Sequence, residues 1–528
     1  MKRIISALLA GIIIICAGCA DSQSPDSETT LAVTDANSES ENDANEDVTT
    51  ESDTNKDETT PDETTADLPS EALGKGVGVN PGRVTWAYNP AAFTWNGGGY
   101  WWLEKNFDSD VVKQMMTDII CELAGSDDVD DALTALFTNH NERVNGKSEG
   151  YTAGQKIAIK LNMNVAGTVS ASNNNTQGYF PAPVSIRALL EILVDFGIAP
   201  EDITLFDASR MIPTYVQELC GAGELDGVNF VYYDGTTNNP NDAVADTTKP
   251  VRWSIDLHSE VDYADYNGYP TCNTTYYPTC VTEAAYLINF FNLRGHNLAG
   301  FTASAKNHFG TVMPGYTEAD GTISFPQPFR TNPPSYSGLH HYATALDYNG
   351  NPKELWDIPQ RPMSSYSILV DLISNADCGK KTFLYICDGL ASTVNQGKTL
   401  TVDDKWCSAP FGDGTKSGSG WTASLFASQD PVAIDSVALD FLTAERDACR
   451  KVGDNSWNSV LPDDNTAENY LIESALADNP PSGVAYQDGY GNPVGSLGVF
   501  QHWNNAEEKL YGRNLGDDEG IELIAIEY

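Results

Sequence analysis

Short apolar runs that end on a polar residue, with helical patterns between them, constrain this chain more than any other feature. Lys156–Leu161 (KIAIKL) leads to Asn162, Ile203–Phe206 (ITLF) to Asp207, Thr382–Ile386 to Asp388 and Gly389, and Ala423–Ala427 to Asp430. Ala285–Phe290 (AYLINF) leads into Arg294 and His296. Val228–Tyr232 is a further strand candidate. Pro183–Phe196 places Ile186, Leu189, Leu190, Ile192 and Leu193 on one helical face and is closed by Gly197. Thr214–Cys220, Ser365–Ile373 and Pro431–Thr443 read as helices too. Upstream, Asp108–Gly125 carries Val112, Met115, Met116, Ile119, Ile120 and Leu123 at helical spacing, and Asp130–Asn139 is a weaker helix. Strands of this length alternating with helices predict an α/β domain: a mostly parallel sheet flanked by helices on both faces, with long loop insertions.

Ligands of such sheets bind beyond the C-terminal ends of the strands. There the chain sets Lys160, Asn162, Asp207, Asp388 and Asp430. It adds the stretch Arg294–Gly310 (RGHNLAGFTASAKNHFG), which has no acid and carries Arg294, His296, Lys306 and His308. Converging carboxylates raise one another's pKa or bind a hard cation such as Mg²⁺ or Ca²⁺. Asp207 and Asp388 are therefore candidate metal ligands or acid/base groups, and His296 a candidate proton carrier. Lys306 and Lys160 are candidate anion clamps, with Arg294 beside them. Each residue also has a plainer reading. Asp430 before Pro431 is a helix N-cap, Asp207 caps the segment after its strand, Asp388-Gly389 is a turn, and His340-His341 is a surface pair.

The N-terminus addresses the chain. Lys2 and Arg3 precede an apolar run, Ile4–Ile15, too short to span a bilayer, and Cys16-Ala17-Gly18-Cys19 follows. This resembles a bacterial lipobox, with Cys19 lipidated and residues 1–19 as the signal peptide. Ala20 lacks the inner-membrane retention signal, so an outer-membrane or surface position in the cell envelope is expected, anchored by lipid alone. Residues 20–74 read as a disordered tether: Asp21–Glu71 holds 17 acids and one base. Residues 75–528 read as one large domain. The net charge of −44 argues against nucleic acid as a partner. Eight cysteines lie beyond the signal, and Cys272 and Cys280 bracket a turn-like loop as the best local disulfide pair. No CxxC follows the signal peptide, so no iron–sulfur cluster is expected. Walker, Rossmann, zinc-protease and Ser-His-Asp signatures are missing.

Five segments, IAIKLN, LFDAS, LRGH with TASAKNHFG, YICDGL and ASQDPVAIDSVALDFL, resemble in order the domain of unknown function 362 family, over about residues 155–445. The resemblance implies functional positions at Lys160, Asn162, Asp207, His296, Thr302, Lys306, Asn307, Gly310, Asp388, Asp430 and Asp435, with Thr302 and Asn307 joining the substrate-binding set. Arg294 stands where the family usually has lysine. Ferredoxin-type cysteine clusters of many relatives are missing. The family has no established reaction. Three readings follow: an enzyme for a small anionic or carbonyl substrate, with His296, Lys306 and Asp388 catalytic and a divalent cation assisting; a surface protein that binds a glycan or peptide through Trp86, Trp95, Trp101 and Trp102; and a structural protein. Lipid anchoring makes a direct prediction. Cys19→Ser should move the protein from the detergent phase to the aqueous phase in a detergent-partition assay, and unchanged partitioning would remove the lipid anchor.

Overall fold

Eight strands build the main sheet, and their order places the ends that matter side by side. The computed structural model describes residues 68–164, 178–233, 239–257, 273–325, 339–347 and 360–528, which belong to one unit, Thr65–Tyr528. Cys19, the tether up to residue 67, and Cys272 with its expected bond to Cys280 lie outside the described residues. The sheet strands are β1 (Arg83–Tyr88), β2 (Ile157–Leu161), β3 (Ile203–Asp207), β4 (Asn229–Tyr232), β5 (Tyr286–Asn292), β8 (Thr382–Gly389), β9 (Ser424–Ser428) and β10 (Glu522–Glu527). Between β5 and β8 a small hairpin forms from β6 (Arg294–His296) and β7 (Gly300–Thr302). The principal helices are α1 (Ser109–Ala124), α2 (Val129–Asn145), α3 (Pro183–Asp195), α4 (Thr214–Cys220), α5 (Ser304–His308), α6 (Ile368–Ser374) and α7 (Pro431–Lys451).

Across the sheet the order is β10-β1-β9-β8-β5-β2-β3-β4. The sheet is mixed. From β8 through β5, β2 and β3 to β4 every ladder is parallel, as is β10 with β1. β9 runs antiparallel to both β8 and β1. The reason is local. A parallel neighbour needs a crossover, and between β8 and β9 the only helical element is the short turn Val402–Asp404, so the chain folds back. A separate four-stranded antiparallel sheet forms from Ala245–Pro250, Thr274–Pro278, Met313–Thr317 and Ile323–Ser324.

β2 and β5 are buried along their whole length. Successive side chains of a strand point to opposite faces. Accordingly Leu287 and Phe291 of β5 join one apolar cluster, and Tyr286, Ile288 and Phe290 join the other. Leu189 of α3 and Met115 of α1 belong to the second cluster, Leu372 of α6 and Val437 of α7 to the first. α2 and α7 run past their sequence-predicted ends, to Asn145 and Lys451. Trp86, Trp95, Trp101 and Trp102 are all at most 5% exposed, so they pack the core and offer no stacking surface. β1 and β10 enlarge the sheet beyond the segment that carries the family motifs. No helix among the described residues is long and apolar enough to cross a membrane.

The β6–β7 hairpin is held by close backbone approach. Gly295 donates its N–H to Thr393 O at 3.1 Å, and a Cβ there would lie 1.9 Å from Val394 O. Gly295→Ala should therefore lower stability by about 2–3 kcal/mol, since backbone on both sides must shift. A urea midpoint equal to wild type would show that this contact does not hold the hairpin.

Candidate functional site

Beyond the C-terminal ends of β2 and β3, the hairpin and α5 close over a cleft. Its lining includes Lys160, Asn162, Asp207, His296, Thr302, Lys306, Asn307 and Gly310, all expected from the sequence. Asn164, Ser209, Arg210, Phe309 and His340 complete it. The β6–β7 register pairs Arg294 with Thr302 and His296 with Gly300. Alternation then puts Arg294, His296 and Thr302 on one face of the hairpin.

A buried polar network forms the floor. Lys160 Nζ donates to Leu161 O at 2.6 Å, Asp207 Oδ2 at 3.1 Å and Asn307 Oδ1 at 3.1 Å. Those are all three donors of an ammonium. Asp207 also accepts from Met163 N (3.2 Å), Ser209 N (2.9 Å) and Ser209 Oγ (3.0 Å). Asn307 Nδ2 reaches Asn289 Oδ1 at 2.7 Å and the carbonyls of Lys160 and Phe290. Burial pulls the Lys160 pKa down, and Asp207 opposes that pull. Lys160 and Asn307 thus line the cleft with their polar groups already committed to one another. They fix β2, β3 and α5 and are not free ligand clamps.

The other acids lie at helix starts. Asp388 is fully buried, and its carboxylate accepts from Ala182 N (2.7 Å), Ser185 Oγ (2.5 Å), Leu390 N (3.0 Å) and Tyr179 OH (3.1 Å). Ala182, the N-cap of α3, has no side-chain acceptor of its own, so Asp388 supplies one from across the fold. Burial pushes its pKa up while these donors pull it back. Asp388 does not line the cleft that holds Asp207, and among the described residues the two carboxylates share no hydrogen-bond partner. Asp430 is the N-cap of α7, accepting from Val432 N and Ala433 N. Asp435 accepts from Ser304 N (2.8 Å), Ala305 N (3.0 Å) and Tyr470 OH (2.9 Å), anchoring the first turn of α5. Burial pushes its carboxyl up to about 6.

Several donors remain turned toward the cleft. Thr302 Oγ1 is buried and, among the described residues, has no hydrogen-bond partner. His296 Nδ1 accepts from Leu298 N (3.0 Å) and Ala299 N (3.1 Å), which places the ring proton on Nε2. Burial, then the charges of Lys306, His340 and Arg294, pull its pKa well below the usual imidazole range. His296 thus presents its Nε2–H as a hydrogen-bond donor. Lys306 Nζ lies 4.0 Å over the Phe309 ring and 3.3 Å from His340 Nε2, and among the described residues no carboxylate pairs with it. Burial, with Arg210, Lys160 and Arg294 nearby, pulls its amine down to about 7. Arg294 stands behind the cleft. It is fully buried, donates to Tyr179 O and Asn162 Oδ1, and orients Asn162 instead of meeting a ligand. Arg210 escaped the sequence reading, and His340, read there as half of a surface pair, lines the cleft. A base three residues past a strand-end acid was the available signal for Arg210.

Away from the cleft, Cys407, Glu445 and Cys449 bring one donor atom each within 4.8 Å of one another, the one such group of metal-capable side chains among the described residues. Two thiols suit a soft cation and not Mg²⁺ or Ca²⁺.

The family described as "Domain of unknown function (DUF362)" matches residues 157–440. No curated protein matches the chain. Among solved structures, the lactate racemase apoprotein from Thermoanaerobacterium thermosaccharolyticum is similar at TM-score 0.29 and 10% identity, over 71% of this chain and 63% of that one. A Thermotoga maritima protein is similar at TM-score 0.24 and 7% identity, over 56% of this chain and 52% of its own. The chain thus spans less than two thirds of either protein, and at these scores neither likeness carries an argument.

The Lys306 amine has a signature in stability. Between about 7 and its ordinary 10.5 the unfolded chain holds this proton and the folded chain does not, so this group makes the protein more stable as pH rises through that window. Urea unfolding across it should show a shallower rise for Lys306→Met than for wild type. Identical pH slopes would mean the amine keeps its ordinary pKa.

Proposed function

The chain belongs to the domain of unknown function family DUF362, and because that membership carries no reaction, we propose from the cleft itself that this is an exported, lipid-anchored protein of the cell envelope that acts on a small anionic or carbonyl-bearing substrate. One observation carries the reading. A buried hydroxyl, Thr302 Oγ1, has no partner among the described residues and faces a cleft in which Lys160, Arg210 and Lys306 outnumber the single carboxylate of Asp207. Leaving a buried polar group unpaired costs about 1–3 kcal/mol, so an acceptor from a ligand is the natural complement. The Nε2–H of His296 and the guanidinium of Arg210 offer further donors. Such an array suits a carboxylate or phosphate oxygen. The reading needs no divalent cation at Asp207, whose oxygens accept from Lys160, Met163 and Ser209. The alternative of a glycan-binding surface loses support because its four tryptophans lie in the core.

Thr302→Val separates ligand binding from folding. Removing the unpaired hydroxyl at nearly constant shape should leave the ligand-free protein as stable as wild type or about 1 kcal/mol more stable. The same change should diminish stabilisation by phosphate and by small carboxylates. A ligand at a hundred times its Kd stabilises by about 2.7 kcal/mol, which thermal unfolding resolves easily. Equal anion-induced shifts in wild type and Thr302→Val, or none in either, would overturn the anion cleft.

A further inference from the structure

We propose that Lys306 is a covalent catalytic residue, whose amine condenses with the carbonyl carbon of a small 2-oxo acid held in the cleft. The inference rests on the anion reading above and adds a reaction to it.

The cationic side chains of the cleft are not equivalent. Lys160 has an acceptor for each of its three protons. Arg210 donates through Nε to Asn164 Oδ1 and through Nη1 to Ser209 O. Among the described residues Lys306 has neither a carboxylate nor a carbonyl acceptor. Its neighbours are the Phe309 ring at 4.0 Å and His340 Nε2 at 3.3 Å. The Phe309 ring face attracts an ammonium, but burial among Arg210, Lys160 and Arg294, with no carboxylate paired to it among the described residues, outweighs that attraction and favours the neutral nucleophilic amine. The lowered pKa of this amine, about 7, agrees with that geometry.

The surroundings match both ends of the proposed ligand. Its carboxylate finds the Thr302 hydroxyl, which has no partner among the described residues, and the Nε2–H of His296. Lys306 lines the same cleft, where the carbonyl of such a ligand would meet its amine. The cleft offers about 70 Å³, which suits a compact molecule.

The step balances without an oxidant or a further reactant. The nitrogen lone pair attacks the carbonyl carbon, and the carbonyl oxygen takes up a proton to give a carbinolamine. The C–O bond then breaks, the oxygen leaves as water with a second proton, and a C=N bond forms between Lys306 and the substrate. His340 Nε2, 3.3 Å from Nζ, is placed to receive the proton released by nitrogen and return it to the departing oxygen. The sum is amine plus 2-oxo acid giving imine plus water. Once protonated, the imine draws electrons from the adjoining carbon–carbon and carbon–hydrogen bonds, so cleavage or proton transfer at those bonds is the class of reaction it enables.

Pyruvate and lactate, equal in charge and near in size, separate this proposal from the reading beneath it. The full-length protein is treated with each in the presence of borohydride, which reduces an imine to a stable amine, and is then digested and mapped by mass spectrometry. Thermal unfolding with each acid runs in parallel. One reduced pyruvate adduct per chain on the Lys306 peptide, none with lactate, and background yield in Lys306→Arg are expected. Stabilisation by both acids with no adduct would overturn the imine and leave the anion cleft standing. Adducts scattered over surface lysines, or retained in Lys306→Arg, would overturn it as well. No stabilisation and no adduct would remove both. The wild-type peptide map decides the matter even where Lys306→Arg folds poorly.

Discussion

The Lys160–Asp207 pair is the interaction on which the cleft depends. Both side chains are buried, and they meet at 3.1 Å. Removing one partner of such a pair leaves an uncompensated charge and costs about 3–5 kcal/mol. This pair also does more than neutralise itself. Asn307 accepts from the same ammonium and donates to the backbone of β2 and β5, so α5 is registered against the strand ends by the network that holds those strands together. Gly310 belongs to the same arrangement, because a Cβ there would stand 2.9 Å from Lys160 Nζ. With α5 placed, Lys306 can only project into the cleft beside Phe309.

Charge separates in this protein by secondary structure. The chain carries a net charge of −44, yet the cleft is lined by more cations than acids. Helix starts present unpaired N–H groups and the positive end of the helix dipole. Asp388, Asp430 and Asp435 answer three such starts, those of α3, α7 and α5. Each carboxylate used this way is taken up by backbone N–H groups, and Asp435 in doing so positions α5, which borders the cleft. Among the described residues the arrangement leaves Lys306 without a counter-ion.

That separation explains how much of the site could be read from the amino-acid order. The strand-end rule and the acid-free Arg294–Gly310 stretch identified Lys160, Asn162, Asp207, His296 and Lys306, and the family resemblance added Thr302 and Asn307. Which residues meet a ligand is another matter, because an aspartate after a strand looks the same whether it faces a cleft or caps a distant helix. Asp388 is the clear case: its partners, Tyr179, Ala182 and Ser185, lie about two hundred positions away. Arg294 is another, since its guanidinium turns to Tyr179 O and not to the cleft.

The sequence by itself determined the α/β class, most of the strands and helices, and the neighbourhood of the cleft, because periodicity and strand-end polarity are local. It did not reveal β1 and β10, whose partners lie hundreds of residues apart, nor the reversal of β9, which follows from what a connection lacks. Only the tertiary structure decided which polar groups are satisfied. A hydrogen bond between residues far apart in the chain leaves no periodic trace, and it is those bonds that commit Lys160, Asn307 and Asp388 to the protein and leave Thr302 and Lys306 facing the cleft.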